Sequence, residues 1–149
     1  MQILVFGKDR NTLKWINEQV ISTTQYSFAV NASTLPEALM LLKSVHFDAV
    51  IYDIPLSRNH SKESLKELIQ ISGAVPVIVL TSVLTLPAAV EAVEAGADTY
   101  LLKETTEAGK FAEYIRMTAF KKLDYIRQQT MRVILPHVYK DVEPNMLRY

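Results

Sequence analysis

A chain of 149 residues fits one ordinary domain and is long enough to bury a core of its own. Sixteen Lys and Arg balance sixteen Asp and Glu, so no overall field draws nucleic acid or an anionic membrane. The absence of cysteine excludes disulfides, thiolate catalysis and cysteine-ligated zinc; with no apolar run near the roughly 18 residues of a spanning helix and no basic-then-apolar leader before the first strand, the chain reads as cytoplasmic.

Short apolar runs alternate with helix-period segments from residue 2 to about residue 120. Ile3 to Phe6 predicts a first strand, and Leu13, Ile16, Val20 and Ile21 then recur at helical spacing. Phe28 to Val30 predicts a second strand. In Thr34-Leu35-Pro36-Glu37 the threonine caps a helix and the glutamate reaches back, with proline tolerated in a first turn whose amides lack partners anyway. Leu39, Leu42 and Val45 form that helix's apolar stripe. Ala49 to Asp53 predicts a third strand ending in an acid, and Ser61 caps a helix with Leu65, Leu68 and Ile69 inward. Val75 to Leu80 predicts a fourth strand reaching Thr81. Thr85 and Pro87 start an alanine-rich helix that Gly96 ends. Thr99 to Leu102 predicts a fifth strand, followed at once by Lys103. Phe111, Ile115, Ala119, Leu123 and Ile126 mark one face of a long last helix, predicted over about residues 106–134 with Pro136 as its stop.

Five β-then-α units imply an α/β fold, a parallel sheet with helices on both faces. The nearly continuous apolar strands agree, being buried on both sides. In such sheets ligands sit at the carboxyl ends of the strands, beside the point where strand order reverses. Asp53, Thr81 and Lys103 fall there together: a carboxylate, a hydroxyl and a cation, the set an acyl phosphate site needs. Taken singly, each has an ordinary structural reading, as a helix cap, a turn residue and a solvated lysine.

Three stretches, "FDAVIYD" around Asp53, "VPVIVLT" ending at Thr81 and "EAVEAGADTYLLKE" around Lys103, resemble the receiver domain of bacterial two-component response regulators. The last stretch looks especially like receivers joined to helix-turn-helix output domains. The resemblance covers about residues 2–120 and implies a flavodoxin-like (CheY-like) five-stranded sheet of order 2-1-3-4-5. It makes Asp53 the phosphoacceptor position, Thr81 the switch hydroxyl, Lys103 the phosphate-binding lysine and Tyr100 the aromatic switch position. Tyr100 equally fits an ordinary aromatic at the sheet edge.

The chain departs from that family where it matters most. Receivers end their first strand in two acids that hold magnesium, and here those positions are Gly7 and Lys8. Asp9 follows, a weak candidate for the metal. Lys8, Asp53 and Lys103 sum to plus one, or to zero with Asp9, a poor offer to a divalent cation that prefers octahedral oxygen ligands. A lysine about 4 Å from Asp53 gains roughly 4 kcal/mol before desolvation, so Lys8 either occupies the metal's place or points to solvent. No cofactor is expected, and the pattern is that of a pseudo-receiver. A Walker loop, a dinucleotide fingerprint and a flavin-phosphate loop all fail here: glycines are too few, Asp9 follows the lysine, and Thr12 lies inside the predicted helix. The loop "IPLSRNHSK" after Asp53 lacks the glycine common in receivers. Glu104 replaces a frequent proline, so a trans bond is expected. His46, His60 and His137 share no ligand spacing.

Residues 121–149 extend past a receiver of 1–120, as a helical tail for dimerisation or linkage. Leu123, Ile126 and Ile134 supply its apolar stripe. Glu91 and Glu94 on the fourth helix and Arg116 and Lys121 on the fifth offer charges for pairing across a two-fold axis. The expected function is signal transduction by protein contact, not catalysis. The partners are a signalling protein or output domain and a second copy held through the last two helices, with no membrane and no direct nucleic-acid binding. The alternatives are a receiver still phosphorylated on Asp53, and a small flavodoxin-like enzyme or ligand-binding domain.

Overall fold

The structure, a computed structural model, describes the backbone of residues 1–21, 28–53, 61–81, 86–103, 106 and 110–138. Strand β1 (Gln2–Phe6) leads to α1 (Arg10–Ile21), β2 (Phe28–Ala32) to α2 (Leu35–Ser44), and β3 (Ala49–Tyr52) to α3 (Ser61–Ser72). Then β4 (Val77–Thr81) leads to α4 (Leu86–Ala95), and β5 (Thr99–Leu102) to α5 (Phe111–Val138). Every strand pair is parallel, in the order β2-β1-β3-β4-β5, so the expected topology is the observed one.

Alternate residues of the strands serve opposite faces. Leu4, Phe6, Val50, Tyr52, Val77 and Val79 pack with Ala38 of α2, Leu65 and Leu68 of α3 and Ala92 of α4. Ile3, Val5, Ala49, Ile51, Ile78 and Leu80 pack with Ile16 of α1 and with Phe111 and Ile115 of α5. Each large aliphatic buried this way contributes roughly 1.5–3 kcal/mol. Trp15 meets Phe111 edge-on at 5.1 Å between ring centres, which seats the start of α5 against α1.

At the amino edge of the sheet two aspartates do the same job. Asp48, just before β3, accepts the Gln2 amide at 2.7 Å and donates its own amide to Gln2 O at 2.8 Å. Asp98, just before β5, accepts the Val77 amide at 2.8 Å and donates to Val77 O at 2.9 Å. Each carboxylate satisfies an amide at the sheet edge that water would otherwise have to serve. Asp98 also draws in Lys122 of α5 at 3.0 Å, and the same ammonium donates to Val75 O at 2.8 Å. The Lys122 and Asp98 side chains are only 13% and 20% exposed, so α5 is pinned to the sheet well along its length.

Local details differ from expectation in four places. Thr34 caps α2 through the Glu37 amide at 3.4 Å, but the Glu37 carboxylate reaches the Ser33 amide at 3.2 Å, one residue earlier than a capping box requires. Val45 is not part of the buried stripe: it is the C-cap of α2, with extended backbone and an exposed side chain, and Ala38 holds the buried position. Helix α5 starts at Phe111 and not near residue 106, which lies in a bend with the Thr106 amide and hydroxyl both donating to Leu102 O, at 3.1 and 2.8 Å. It also runs through Pro136 to Val138. A proline near a helix's last turn forfeits one bond to the preceding turn and leaves the two residues after it free to stay helical. Gly96, at φ +98°, closes α4 in a Schellman motif, with Gly96 N on Val93 O and Ala97 N on Ala92 O, both at 3.0 Å. Among the described residues no helix is long and apolar enough to cross a membrane.

Asp98→Ala should lower the unfolding free energy by roughly 2–4 kcal/mol, because it strands the Lys122 ammonium and the Val77 amide together. Urea denaturation measures this. Asp98→Asn, which keeps an acceptor for the amide, should cost less.

Candidate functional site at the strand ends

Strand order reverses between β1 and β3, so their carboxyl ends open on one crevice. The register pairs Phe6 with Tyr52 and thereby sets Gly7 beside Asp53. Both residues continue the sheet by one rung: Asp53 N donates to Phe6 O at 2.8 Å and Gly7 N to Ala32 O at 3.0 Å. Beneath them Phe6 and Tyr52 stack at 5.4 Å. Burial pushes the Tyr52 phenol above its ordinary value, with the Glu63 charge adding to it, so the crevice floor is apolar.

Asp53 is nearly enclosed, its side chain 8% exposed, and its Oδ1 lies 2.9 Å from the Lys103 ammonium. Lys103 reaches it from the end of β5, where its amide donates to Thr81 O at 2.8 Å. The same ammonium donates to Thr12 Oγ1 at 2.6 Å, and that hydroxyl bonds Asp9 Oδ2 at 3.3 Å. Asp9 in turn caps α1, its Oδ1 accepting the Asn11 amide at 2.9 Å. The Asn11 bond chiefly holds the Asp9 carboxyl below the usual carboxylate range, with Thr12 and the Lys103 charge adding to it against the desolvation penalty.

Asp53 and Lys103 are thus brought together as expected. Thr81 ends β4 beside them, half-buried and paired in register with Leu102. Tyr100 is partly buried against the core face that carries Val79 and Tyr52. Lys8 is exposed and among the described residues makes no ion pair, so the cation on Asp53 is Lys103 and not Lys8. The reason is local. Gly7 is the last residue held in the sheet, and the chain turns outward after it into the cap of α1. Thr12 is a member of the site that sequence reasoning placed merely inside a helix. The available signal was Asp9-Arg10-Asn11-Thr12, a capping acid with a hydroxyl three residues on. His46 is exposed; His60, Glu104 and the rest of the loop after Asp53 lie outside the described residues, as does the His137 side chain.

Gly7 matters for its missing side chain. A Cβ there would stand 3.0 Å from Asp53 Cβ, 3.1 Å from Asp53 O and 3.4 Å from Asp53 Oδ2. Among the described residues no three His, Cys, Asp or Glu side chains converge as metal ligands. Asp53 Oδ1 is engaged by Lys103, and both oxygens of Asp9 are engaged at the start of α1. This donor set does not match the near-octahedral oxygen shell that magnesium demands.

Gly7→Ala should destabilise the domain by about 1–3 kcal/mol, since the intruding methyl meets backbone as well as side chain. Lys8→Ala should stay within ~0.5 kcal/mol and add simply to Asp53→Asn. Chemical denaturation of the single and double variants measures both, and a strong Lys8–Asp53 coupling is the outcome this geometry forbids.

The comparisons with known proteins agree with the geometry. The sequence model of the response regulator receiver domain family matches residues 4–116. The transcriptional regulatory protein ZraR of Salmonella typhimurium is 33% identical over 67 residues, 45% of this chain and 15% of that protein. This chain therefore spans a small part of that curated relative. A CheY-like receiver domain protein from Methanospirillum hungatei has 21% identity and a TM-score of 0.65, over 83% of this chain and 97% of the other. The receiver domain of an HD domain-containing protein from Pseudomonas fluorescens has 22% identity and a TM-score of 0.67, over 85% and 91%. With a five-stranded sheet of matching order and an acid and a lysine paired at its switch point, this chain belongs to the response regulator receiver domain family of two-component signalling.

Proposed function

We propose that this receiver signals by protein contact and that its magnesium-dependent phosphorylation is impaired. One observation carries the reading: the ammonium of Lys103 stands 2.9 Å from Asp53 while the family's acid pair is Gly7 and an exposed Lys8. A carboxylate in that setting already has its counter-charge. Millimolar magnesium, alone or with beryllofluoride, should leave the NMR resonances of Gly7, Asp53 and Lys103 unmoved, and acetyl phosphate should give no stable modification of Asp53. A saturating titration with labelled Asp53 would restore the phosphorylatable reading, for which the Asp53, Thr81 and Lys103 positions speak.

The contact surface we assign is the face of α4 and α5, and its occupant a second copy of this chain. Val90 and Val93 on α4 and Met117 and Phe120 on α5 are exposed, Phe120 by 72%. A groove of about 540 Å³ continues the patch between β5 and α5, lined by Leu101, Met117, Lys121, Tyr125 and Ile126 among others. Helix α5, with 28 residues, is about 42 Å long at 1.5 Å per residue, and Leu123, Met131 and Val133 are exposed along its distal half. Apolar burial there would supply most of the association. Charge pairing contributes less than expected, because Glu94 is engaged by Lys62 of its own chain at 3.4 Å, and exposed pairs are worth below about 1 kcal/mol in any case. An output domain or a signalling protein is the further partner.

At micromolar concentration light scattering should report a dimer. Truncation after Asp124 should give a folded monomer, because it removes the distal stripe beyond Leu123, which supplies most of the association, and keeps Lys122 on Asp98. A full-length monomer, or a truncated dimer, would move the contact elsewhere.

A further inference from the structure

Three polar side chains are buried among the described residues: Thr12, Ser72 and Thr118. The hydroxyls of Ser72 and Thr118 turn back on their own helices, to Ile69 O and Tyr114 O, both at 2.8 Å, and Thr118 also meets the neutral hydroxyl of Thr99 on β5 at 2.9 Å. Such bonds are a local way to satisfy a hydroxyl inside a helix. Thr12 behaves differently. At 3% exposure, its hydroxyl bonds Lys103 at 2.6 Å and Asp9 at 3.3 Å.

Chemistry fixes the direction of both bonds. An ammonium can only donate, so Thr12 Oγ1 accepts from Lys103; an ionised carboxylate can only accept, so the Thr12 proton goes to Asp9. The Lys103 ammonium therefore stands between two carboxylates, touching Asp53 directly and Asp9 through one hydroxyl. A lysine head on its flexible four-carbon stem holds no fixed place by itself. Here the second anchor comes from α1, the helix that starts where the family would place its metal ligands.

We propose that Thr12 is a positioning residue: backed by Asp9, it holds the Lys103 ammonium on Asp53, so that the crevice carries a fixed internal cation. The brace also joins the cap of α1 to Asp53. A change at Asp53 that draws Lys103 away takes a donor from Thr12 and reaches the Asp9–Asn11 cap. This deepens the function proposed above and rests on it only in taking Asp53 and Lys103 as the working pair.

The test is made on the full chain with lysine-labelled protein. A held ammonium exchanges slowly and gives its own proton–nitrogen cross-peak. Thr12→Val keeps the shape of the side chain and removes the hydroxyl. It should abolish the Lys103 cross-peak, and Thr12→Ser should restore it. Asp9→Asn, at an exposed position, should shift that peak without unfolding the chain. In unfolding experiments Thr12→Val and Asp53→Asn should depart from additivity by about fivefold or more in the equilibrium constant, a coupling carried by Lys103. A sharp Lys103 peak in Thr12→Val, or additive effects in the cycle, overturns the brace. Magnesium titration is a separate arm: a metal that binds defeats the proposed function, whereas dependence of the Lys103 peak on Thr12 upholds the brace by itself.

Discussion

A carboxylate enclosed at the carboxyl edge of a parallel sheet needs a positive charge, and the rest of the crevice is arranged around which cation supplies it. Asp53 has 8% of its side chain exposed, so water cannot do the work. At 2.9 Å an ammonium offers a gross attraction of roughly 6 kcal/mol at an effective dielectric of about 20, before either group's desolvation is subtracted. A divalent ion would attract more strongly but needs several oxygen ligands around it. Lys103 needs none, since its stem brings the charge across from β5, two strands away, and its remaining donors find Thr12. Once that choice is made, the space beside Asp53 is taken up by Asp53 itself, and a residue without a side chain becomes the one that fits at position 7.

The opposite edge of the same sheet uses the same chemistry for another purpose. Asp48 and Asp98 each close a strand pair by exchanging bonds with the first residue of a neighbour, Gln2 and Val77. Asp98 then recruits Lys122 as Asp53 recruits Lys103. One acid–lysine pair sits at each end of the sheet, one holding the crevice and the other holding α5. The long helix is thereby anchored at two points along one line. Phe111 and Ile115 bury its start, and Lys122 fixes it further on. Beyond Lys122 its direction is set by the body of the domain: Ile126 still faces the groove beside β5, while Leu123, Met131 and Val133 are exposed.

How much of this was readable follows from the range of each interaction. The parallel sheet was legible because five short apolar runs alternate with helix-period segments, whereas its strand order came only with the resemblance of three stretches to receivers. Asp53 and Lys103 were legible because each directly follows a strand, and parallel strands deliver such residues to one edge. Lys8 was not: residue alternation defines a direction only while the chain remains in the sheet, and it leaves at Gly7. Thr12 and Lys122 were missed for a different reason. Their partners lie 91 and 24 residues away, and nothing in a helical period tells which polar residue on a buried or half-buried face will meet a charge from a distant strand. Val45 shows a smaller failure of the same kind, since an apolar residue at helical spacing belongs to the stripe only if the helix has not yet ended.

Gly7 and Lys8 answer to two different constraints of the fold. An acid at position 7 needs Asp53 drawn back from β1, and drawing Asp53 back stretches its bond to a lysine that Thr12 holds from the other side. Lys8 follows from a different constraint, the exit of the chain toward the Asp9 cap, which leaves its side chain exposed while Asp9 bonds Asn11 and Thr12. Within the crevice Asp9, Asp53 and Lys103 sum to minus one, and Lys8 lies exposed outside that set. Phosphorylation would replace the single negative charge of Asp53 with close to two, adding about one negative charge to this set. It would have to draw on an ammonium that already serves two acceptors. The partner surface proposed above, on α4 and α5, draws instead on apolar groups, with Val93 and Phe120 exposed there.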